Sequence, residues 1–175
     1  ILKHSSQTPM CAELINKALD GTGIPEGLFQ YIHTDHTTCE KIISDTRIAH
    51  VVFTGSVNGG KQIKKYIGQR FINVGLELGG KDPAYVRADC DLNHAIENLI
   101  DGAFFNSGQS CCGIERIYVD KSIFKDFVDG AKSLTEKYVL GDPSKTNTNL
   151  GPVVKLSAAE FILKQMNSAV DNGAK

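Results

Sequence analysis

Residues 49–78 read AHVVFTGSVNGGKQIKKYIGQRFINVGLEL, and this stretch decides the fold. It opens with an almost uninterrupted apolar run from Ala49 to Phe53. A glycine-rich turn then leads into a segment with helical spacing, Lys61 to Ile67, and a second apolar run follows from Phe71 to Leu78. Two short apolar runs joined by a helix are typical of parallel strands with a crossover connection. The stretch therefore predicts a βαβ unit and an α/β fold.

The alternation of helix and strand signals continues on both sides of this stretch. Upstream, the sequence predicts a helix that begins at Thr8 and Pro9, a strand over 28–32 and a helix over 37–43. Downstream of the double glycine at 79–80 it predicts strands over 83–86 and 114–119, helices that begin at Asp91 and Ser122, and a last helix capped by Ser157 and Glu160. We expect a partial Rossmann-like parallel sheet in residues 1–78 and the start of a second α/β domain in residues 79–175.

The composition is that of an ordinary globular protein. The 175 residues are 41% hydrophobic and 22% charged, with a net charge of -1. This balance gives no bulk basic field that would attract nucleic acid. No apolar run approaches the roughly 20 residues that span a bilayer, so no membrane partner is predicted. The sequence begins at Ile1 rather than Met, and we expect it to be a piece of a longer protein.

Five cysteines are present, at positions 11, 39, 90, 111 and 112. An odd number without a CxxC pair fits neither a disulfide framework nor a zinc site. Reduced thiols in the cytoplasm or an organelle matrix are the simplest interpretation. The cluster formed by His33, Asp35 and His36 offers too few ligands for a metal site, so no metal is predicted.

The adjacent thiols Cys111 and Cys112 lie in the segment NSGQSCCG, residues 106–113. Most free cysteines are small core residues, which is the interpretation that we favour for the other three. A loop flanked by glycines is a different setting, because a substrate can reach a thiolate there and backbone N–H groups can stabilise it. The spacing alone does not choose between the two thiols as a nucleophile.

Two further features suggest chemistry at the ends of the predicted strands. Glu77 lies between Leu76 and Leu78, which predicts partial burial and a pKa raised towards that of a general base. The turn after Phe53 resembles an anion-binding strand-to-helix turn, because it aims N–H groups at a helix start. An ordinary turn and a solvated surface glutamate remain open alternatives on the residues alone.

Three segments together resemble the signature segments of the NAD(P)-dependent aldehyde dehydrogenases. They are FTGS at 53–56, LELGGK at 76–81 and FFNSGQSC at 104–111, and their order and spacing agree with that family. The resemblance covers essentially the whole chain. It implies an NAD(P)-binding domain whose C-terminal part is residues 1–78, and a catalytic domain whose N-terminal part is residues 79–175.

The resemblance also implies a reaction and its residues. Cys111 would be the nucleophile that attacks an aldehyde, with Cys112 as a bystander that faces away. Oxidation of the thiohemiacetal with NAD or NADP would give a thioester, and Glu77 would activate the water that hydrolyses it to a carboxylate. The residues expected near the cofactor are Lys3, Ser6, Thr54, Gly55, Ser56, Gly60, Leu78 and Gly79. Many NAD-preferring relatives have a glutamate where this chain has Ser6, which favours tolerance of NADP.

Family members are about three times as long, and they use an upstream asparagine and a downstream glutamate that this sequence does not contain. We therefore expect the isolated 175-residue chain to be inactive and the full-length protein to be a homodimer or homotetramer. Two other functions stay open. One is a non-catalytic relative with a structural or binding role, and the other is a thiol-dependent ester hydrolase that needs no cofactor.

Overall fold

The computed structural model describes residues 1–174. Its helices are α1 (Met10–Leu19), α2 (His36–Ser44), α3 (Val57–Ile67), α4 (Leu92–Phe104), α5 (Phe124–Thr135) and α6 (Leu156–Asp171). Its strands are β1 (His50–Gly55), β2 (Asn73–Leu78), β3 (Asp82–Val86) and β4 (Ile114–Val119). The chain separates into two compact units, residues Ile1–Leu78 and the residues from Gly79 onward.

The first unit is built around the predicted βαβ stretch. Strands β1 and β2 pair in parallel, with His50 opposite Asn73 and Gly55 opposite Leu78, and α3 forms the crossover. The helix begins where the Ser56 side chain accepts a hydrogen bond from the Gly59 amide, and it ends at Gly68, whose φ is 62°. Only a residue without a Cβ adopts that conformation at low cost.

The core of the first unit lies between helices α2 and α3 and the β1–β2 pair. Ile43, Ile63 and Ile67 are buried there, and partly buried side chains from both strands pack against them. Helix α2 has a side-chain cap, because Asp35 accepts a hydrogen bond from the Thr38 amide at 2.7 Å. This bond holds the pKa of the Asp35 carboxyl below its ordinary value, since it favours the charged form.

The second unit repeats the same arrangement. Strands β3 and β4 pair in parallel and α4 lies in their crossover, after the predicted cap Asp91, whose side chain accepts from the His94 amide. Val86, Ile96, Ile100 and Phe127 are buried together, so β3, α4 and α5 share one core. The predicted α/β class with parallel strand pairing is therefore confirmed.

Several local predictions were wrong, among them the helix start at Thr8 and Pro9, because α1 begins at Met10 and no side chain caps it. Residues 28–32 form no strand, because within residues 1–174 Tyr31 makes only an isolated bridge with Leu2 and lacks the further partners that extend a ladder. Helix α5 begins at Phe124, and the Ser122 hydroxyl donates to Asp120 instead of capping the helix. Helix α6 begins one residue before Ser157, which therefore lies inside the first turn and makes no cap.

None of the helices within residues 1–174 combines the length and the apolar composition that a bilayer-spanning segment needs. Helix α6 differs from the others because it has no buried residue, although its sequence has an apolar stripe. Phe161, Leu163 and Met166 each expose more than half of their surface.

Candidate functional site

The turn between β1 and α3 presents the start of a helix to solvent. Thr54, Gly55 and Ser56 are exposed there. The amides of Gly59 and Gly60 donate to the Ser56 hydroxyl at 3.0 Å and to the Ser56 carbonyl at 2.9 Å. The amides that open a helix, here those of Val57 and Asn58, have no carbonyl partner within it. Together with the positive end of the helix dipole, they suit an anion such as a phosphate.

Glycines at this turn are required by close packing. A Cβ atom on either Gly55 or Gly59 would lie 2.6 Å from Cζ of Phe53, so the phenyl ring occupies the space of both missing side chains. A Cβ atom on Gly60, which is buried, would lie 2.9 Å from Cδ2 of Leu78. The ring of Phe53 and the side chain of Leu78 therefore fix the turn and the first turn of α3 against the sheet.

Strand β2 brings Glu77 beside the same turn. In the parallel register Thr54 lies opposite Glu77 and Gly55 lies opposite Leu78. The prediction that Glu77 is partly buried was wrong, because its side chain is exposed. Side chains alternate along a strand, so Glu77 points to the face opposite that of Leu76, which packs on the core. The first unit thus gathers five predicted site residues at one edge of the sheet: Thr54, Gly55, Ser56, Glu77 and Leu78.

Lys3 and Ser6 lie in the segment that follows the bridge between Leu2 and Tyr31. Lys3 is half-buried and Ser6 is exposed in a turn before α1. Neither side chain makes a hydrogen bond or ion pair within the part of the chain that the structure describes. Both are therefore free to contact a ligand.

The second unit contains the cysteine loop, residues 105–113. Asn106, Ser107 and Gly108 have consecutive φ angles of 51°, 58° and 74°. Left-handed backbone is uncommon for residues with a Cβ, and it persists where surrounding contacts enforce it. A turn follows in which the Gly113 amide donates to the Ser110 carbonyl at 3.3 Å.

Cys111 and Cys112 occupy the two central positions of that turn, and both are exposed. The sulfur of Cys112 lies 3.3 Å from Oγ of Ser110, within hydrogen-bond distance. No such partner is present for the Cys111 sulfur within residues 1–174. The exposed thiol of Cys111 is therefore the one that an electrophile can reach without breaking a bond.

Residues Gly79, Gly80 and Lys81 lead into β3 beside the cysteine loop. Gly79 has open space around it, whereas a Cβ atom on Gly80 would lie 3.6 Å from the carbonyl oxygen of Cys111. Lys81 forms an ion pair with Glu115 on the neighbouring strand. The segment before β3 and the loop before β4 are thus held side by side, as the pairing of Asp82 with Ile114 requires.

Two residues of the loop have contacts that the sequence did not suggest. Ser107 donates from Oγ to the Gly151 carbonyl, and Gln109 accepts at Oε1 from the Val154 amide. Both partners are more than 40 residues away along the chain, so no local pattern indicates them. Among residues 1–174, no three His, Cys, Asp or Glu side chains form a group that could hold a metal ion.

Comparison with known proteins places these segments in a family. Residues 1–175 match the aldehyde dehydrogenase family. The chain is 34% identical to 2-hydroxymuconic semialdehyde dehydrogenase of Pseudomonas sp. (strain CF600) over 99% of its own length and 36% of that protein.

Two solved structures show the same fold with different cofactors. One is NADP-dependent glyceraldehyde-3-phosphate dehydrogenase from Bacillus halodurans in complex with NADP, with a TM-score of 0.89 and 32% identity over 99% of this chain and 36% of that one. The other is a double mutant of betaine aldehyde dehydrogenase from Staphylococcus aureus in complex with NAD⁺, with a TM-score of 0.92 and 29% identity over 99% and 35%. The chain spans about a third of the length of the relatives that it matches. It belongs to the aldehyde dehydrogenase family.

Proposed function

We propose that the protein carrying this chain oxidises an aldehyde to a carboxylate with NAD or NADP, through a covalent intermediate on Cys111. The observation that supports this most directly is the exposed Cys111 thiol in a hydrogen-bonded, glycine-flanked turn. Membership of the aldehyde dehydrogenase family supports the reaction class. We assign residues 1–78 to the C-terminal part of the NAD(P)-binding domain and residues 79–175 to the N-terminal part of the catalytic domain.

The nucleophile has a clear task. The Cys111 thiolate attacks the carbonyl carbon, and the carbonyl oxygen becomes an oxyanion. A carbonyl carbon releases hydride readily only after such an attack has made it tetrahedral. Bound NAD(P)⁺ supplies the hydride acceptor, and loss of hydride leaves an acyl group joined to Cys111 as a thioester. Splitting one difficult step in two in this way is the general advantage of covalent catalysis.

Hydrolysis of the thioester completes the reaction. We assign Glu77 as the base that removes a proton from water, so that hydroxide adds to the acyl carbon and the thiolate of Cys111 leaves. The products are the carboxylate, the reduced cofactor and two protons per aldehyde and water consumed. The exposed carboxylate of Glu77, at the edge of the β1–β2 pair, is accessible to water, as this role requires.

The residues of the first unit suit a dinucleotide. The open amides at the start of α3 and the Ser56 hydroxyl suit the pyrophosphate, and Gly55 and Gly60 keep that turn compact. We assign Lys3 as a cation for the adenosine ribose, and Thr54, Leu78 and Gly79 as residues that contact the nicotinamide. Ser6 is neutral and exposed, so the chain tolerates a 2′-phosphate, and we propose that either NAD or NADP is used.

We further propose that the full-length protein is a homodimer or homotetramer. We propose the cytoplasm or an organelle matrix as its location, because Cys111 must stay reduced. The 175-residue chain by itself is proposed to be inactive, because it spans only about a third of the length of its relatives.

Serine substitutions at the two adjacent cysteines test the proposal in the intact gene product. We expect Cys111→Ser to lower NAD(P)H formation from short aldehydes by more than about 10³-fold, as loss of a nucleophile does in other covalent enzymes. Cys112→Ser, the matched control, is expected to keep most of the activity. The measurement is initial-rate NAD(P)H formation.

Three results would contradict the proposal. Equal losses from both substitutions would remove Cys111 as the nucleophile. Cofactor binding without oxidation of any aldehyde would favour a non-catalytic relative with a structural or binding role. Ester hydrolysis that depends on Cys111 but not on NAD(P), with no aldehyde oxidation, would favour a thiol-dependent hydrolase.

A further inference from the structure

The backbone that leads to Cys111 has an unfavourable conformation at two residues. Asn106 and Ser107 are left-handed although both carry a Cβ, and Gly108 continues the same conformation. Such a run does not arise from local preference, because each residue would relax to an ordinary conformation in a free loop. Contacts from outside the run must therefore hold it.

The side-chain amide of Gln109 supplies two of these contacts, one from each end. Its Oε1 accepts from the Val154 amide at 2.7 Å, and its Nε2 donates to the Asn106 carbonyl at 3.0 Å. A backbone N–H only donates and a carbonyl only accepts, so these two partners also determine which end of the amide is which. Gln109 thus joins the left-handed run to a segment 45 residues away.

Two further side-chain hydrogen bonds hold the left-handed run in place. The Asn106 side chain donates to the Gln109 carbonyl at 3.1 Å, which closes the run on itself. The Ser107 hydroxyl donates to the Gly151 carbonyl at 2.6 Å in a part-buried position. The cysteine loop is therefore attached to residues 151–154 at two points, Ser107 and Gln109, which lie immediately before and after Gly108.

The attachment point is close to the thiol. Gln109 immediately precedes Ser110, whose carbonyl accepts from the buried Gly113 and so closes the turn around Cys111. A turn that is anchored at both of its ends has one position, whereas a turn that is free at its leading end pivots. Catalysis by a nucleophile depends strongly on this, because a displacement of about 1 Å can lower the rate about 100-fold.

We propose that Gln109 is a positioning residue for Cys111. Its side-chain amide attaches the left-handed run to the Val154 backbone and so holds the thiol in its attacking position, with Ser107 as a second attachment. The inference rests on the proposed function, since it takes Cys111 as the nucleophile, and it adds how that nucleophile is held.

The test uses Gln109→Met in the intact gene product, because methionine keeps the length of the side chain and removes both hydrogen bonds. We expect kcat to fall about 10- to 100-fold while KM for NAD(P) is unchanged. Gln165→Met is the matched control, since Gln165 is exposed on α6 and belongs to no proposed site. Gln109→Glu keeps the acceptor for Val154 but not the donor to Asn106, so we expect an intermediate kcat.

Hydrogen exchange at the Val154 amide reports the attachment without any need for turnover. We expect exchange to become about fivefold faster in Gln109→Met, as loss of one ordinary hydrogen bond implies. It is expected to be unchanged in Gln109→Glu and Gln165→Met. If Gln109→Met does not fold, the kcat values of Gln109→Glu and Ser107→Ala replace it, and each must be lower than that of Gln165→Met, because each variant loses one hydrogen bond of the run.

The outcomes separate this inference from the proposed function. A Gln109→Met enzyme with the kcat of the Gln165→Met control would overturn the positioning role, as would a Gln109→Met enzyme with a lower kcat and unchanged exchange at Val154. Aldehyde oxidation that survives Cys111→Ser would instead overturn the proposed nucleophile. A parallel fall of kcat and rise of exchange, with KM constant, supports the role of Gln109.

Discussion

At the scale of single residues, the two proposed reactive groups have different surroundings. Cys111 is at the centre of a turn whose ends are fixed by backbone hydrogen bonds. Glu77 is exposed and projects from the edge strand of a two-stranded sheet, with Thr54 opposite it. A nucleophile must be placed accurately to attack one atom, whereas a base that acts through water needs access to solvent. The two environments match these two demands.

Removing the charge of Glu77 tests its role as a base. In the intact gene product, we expect Glu77→Gln to leave the first turnover of NAD(P)H fast and to slow the steady-state rate by about 10²- to 10⁴-fold, as loss of a general base does. The reason is that only the hydrolysis of the thioester needs the carboxylate. Stopped-flow measurement of NAD(P)H formation separates the two phases.

Glu97→Gln is the control, because Glu97 is an exposed carboxylate on α4 outside every proposed site. An unchanged steady-state rate in Glu77→Gln would show that another group activates water. Loss of the first turnover would show instead that Glu77 acts before the thioester forms.

At the scale of elements, the start of α3 is shaped by the ring of Phe53. The ring fills the space where side chains of Gly55 and Gly59 would be, and it also packs on the core of the first unit. The strand that ends in the turn thus supplies the side chain that requires glycines in the turn. The open helix start and the hydrophobic core are consequently coupled through one residue.

Substitution of Gly59 tests this coupling. An alanine in place of glycine inside a helix ordinarily stabilises by up to about 1 kcal/mol. At Gly59 we expect the opposite sign, a loss of about 1–3 kcal/mol, because the new methyl group overlaps Phe53. The loss of stability is measured as a change in the free energy of unfolding. NAD(P) titration is expected to show weaker binding, because the turn is displaced.

Gly75→Ala is the control, since a Cβ atom there would lie 3.7 Å from Val52 in ordinary contact. Phe53→Leu combined with Gly59→Ala is expected to recover part of the loss, because leucine vacates the space. If the Gly59→Ala variant were as stable as the natural chain, the Phe53 ring would have to move aside freely.

The elements also show how far the sequence determines the fold. Strands β1 and β2 could be predicted from their apolar runs, because each strand is buried on the α3 side by residues close in the chain. A strand over 28–32 would need neighbouring strands, which a local sequence pattern does not reveal. Among the described residues, only Leu2 pairs with this segment. The exposure of Glu77 and the contacts of Gln109 likewise depend on which distant segment lies beside them.

At the scale of the whole molecule, apolar surface is distributed unevenly. Each unit has its own small core, whereas α6 contributes no buried residue and exposes Phe161 to 62%. The stability of the 175-residue chain therefore resides in the two cores, and α6 adds little to it.

Two phenylalanine substitutions test this distribution in the 175-residue chain. Phe127 is only 4% exposed, and we expect Phe127→Ala to cost about 3–5 kcal/mol of unfolding free energy. Phe161→Ala is expected to change it by less than about 0.5 kcal/mol, as exposed substitutions do. Chemical denaturation measures both, and similar losses would show that α6 is packed after all.

The parallel pairing of β3 with β4 also determines when the cysteine loop takes shape. Parallel neighbours cannot be joined by a hairpin, so the pairing of β3 with β4 requires the crossover that contains α4. Contacts between distant segments carry a loop-closure cost, and those of Ser107 and Gln109 with residues 151–154 require still more of the chain. A newly synthesised chain can therefore hold the loop around Cys111 only after residues 151–154 have also been made.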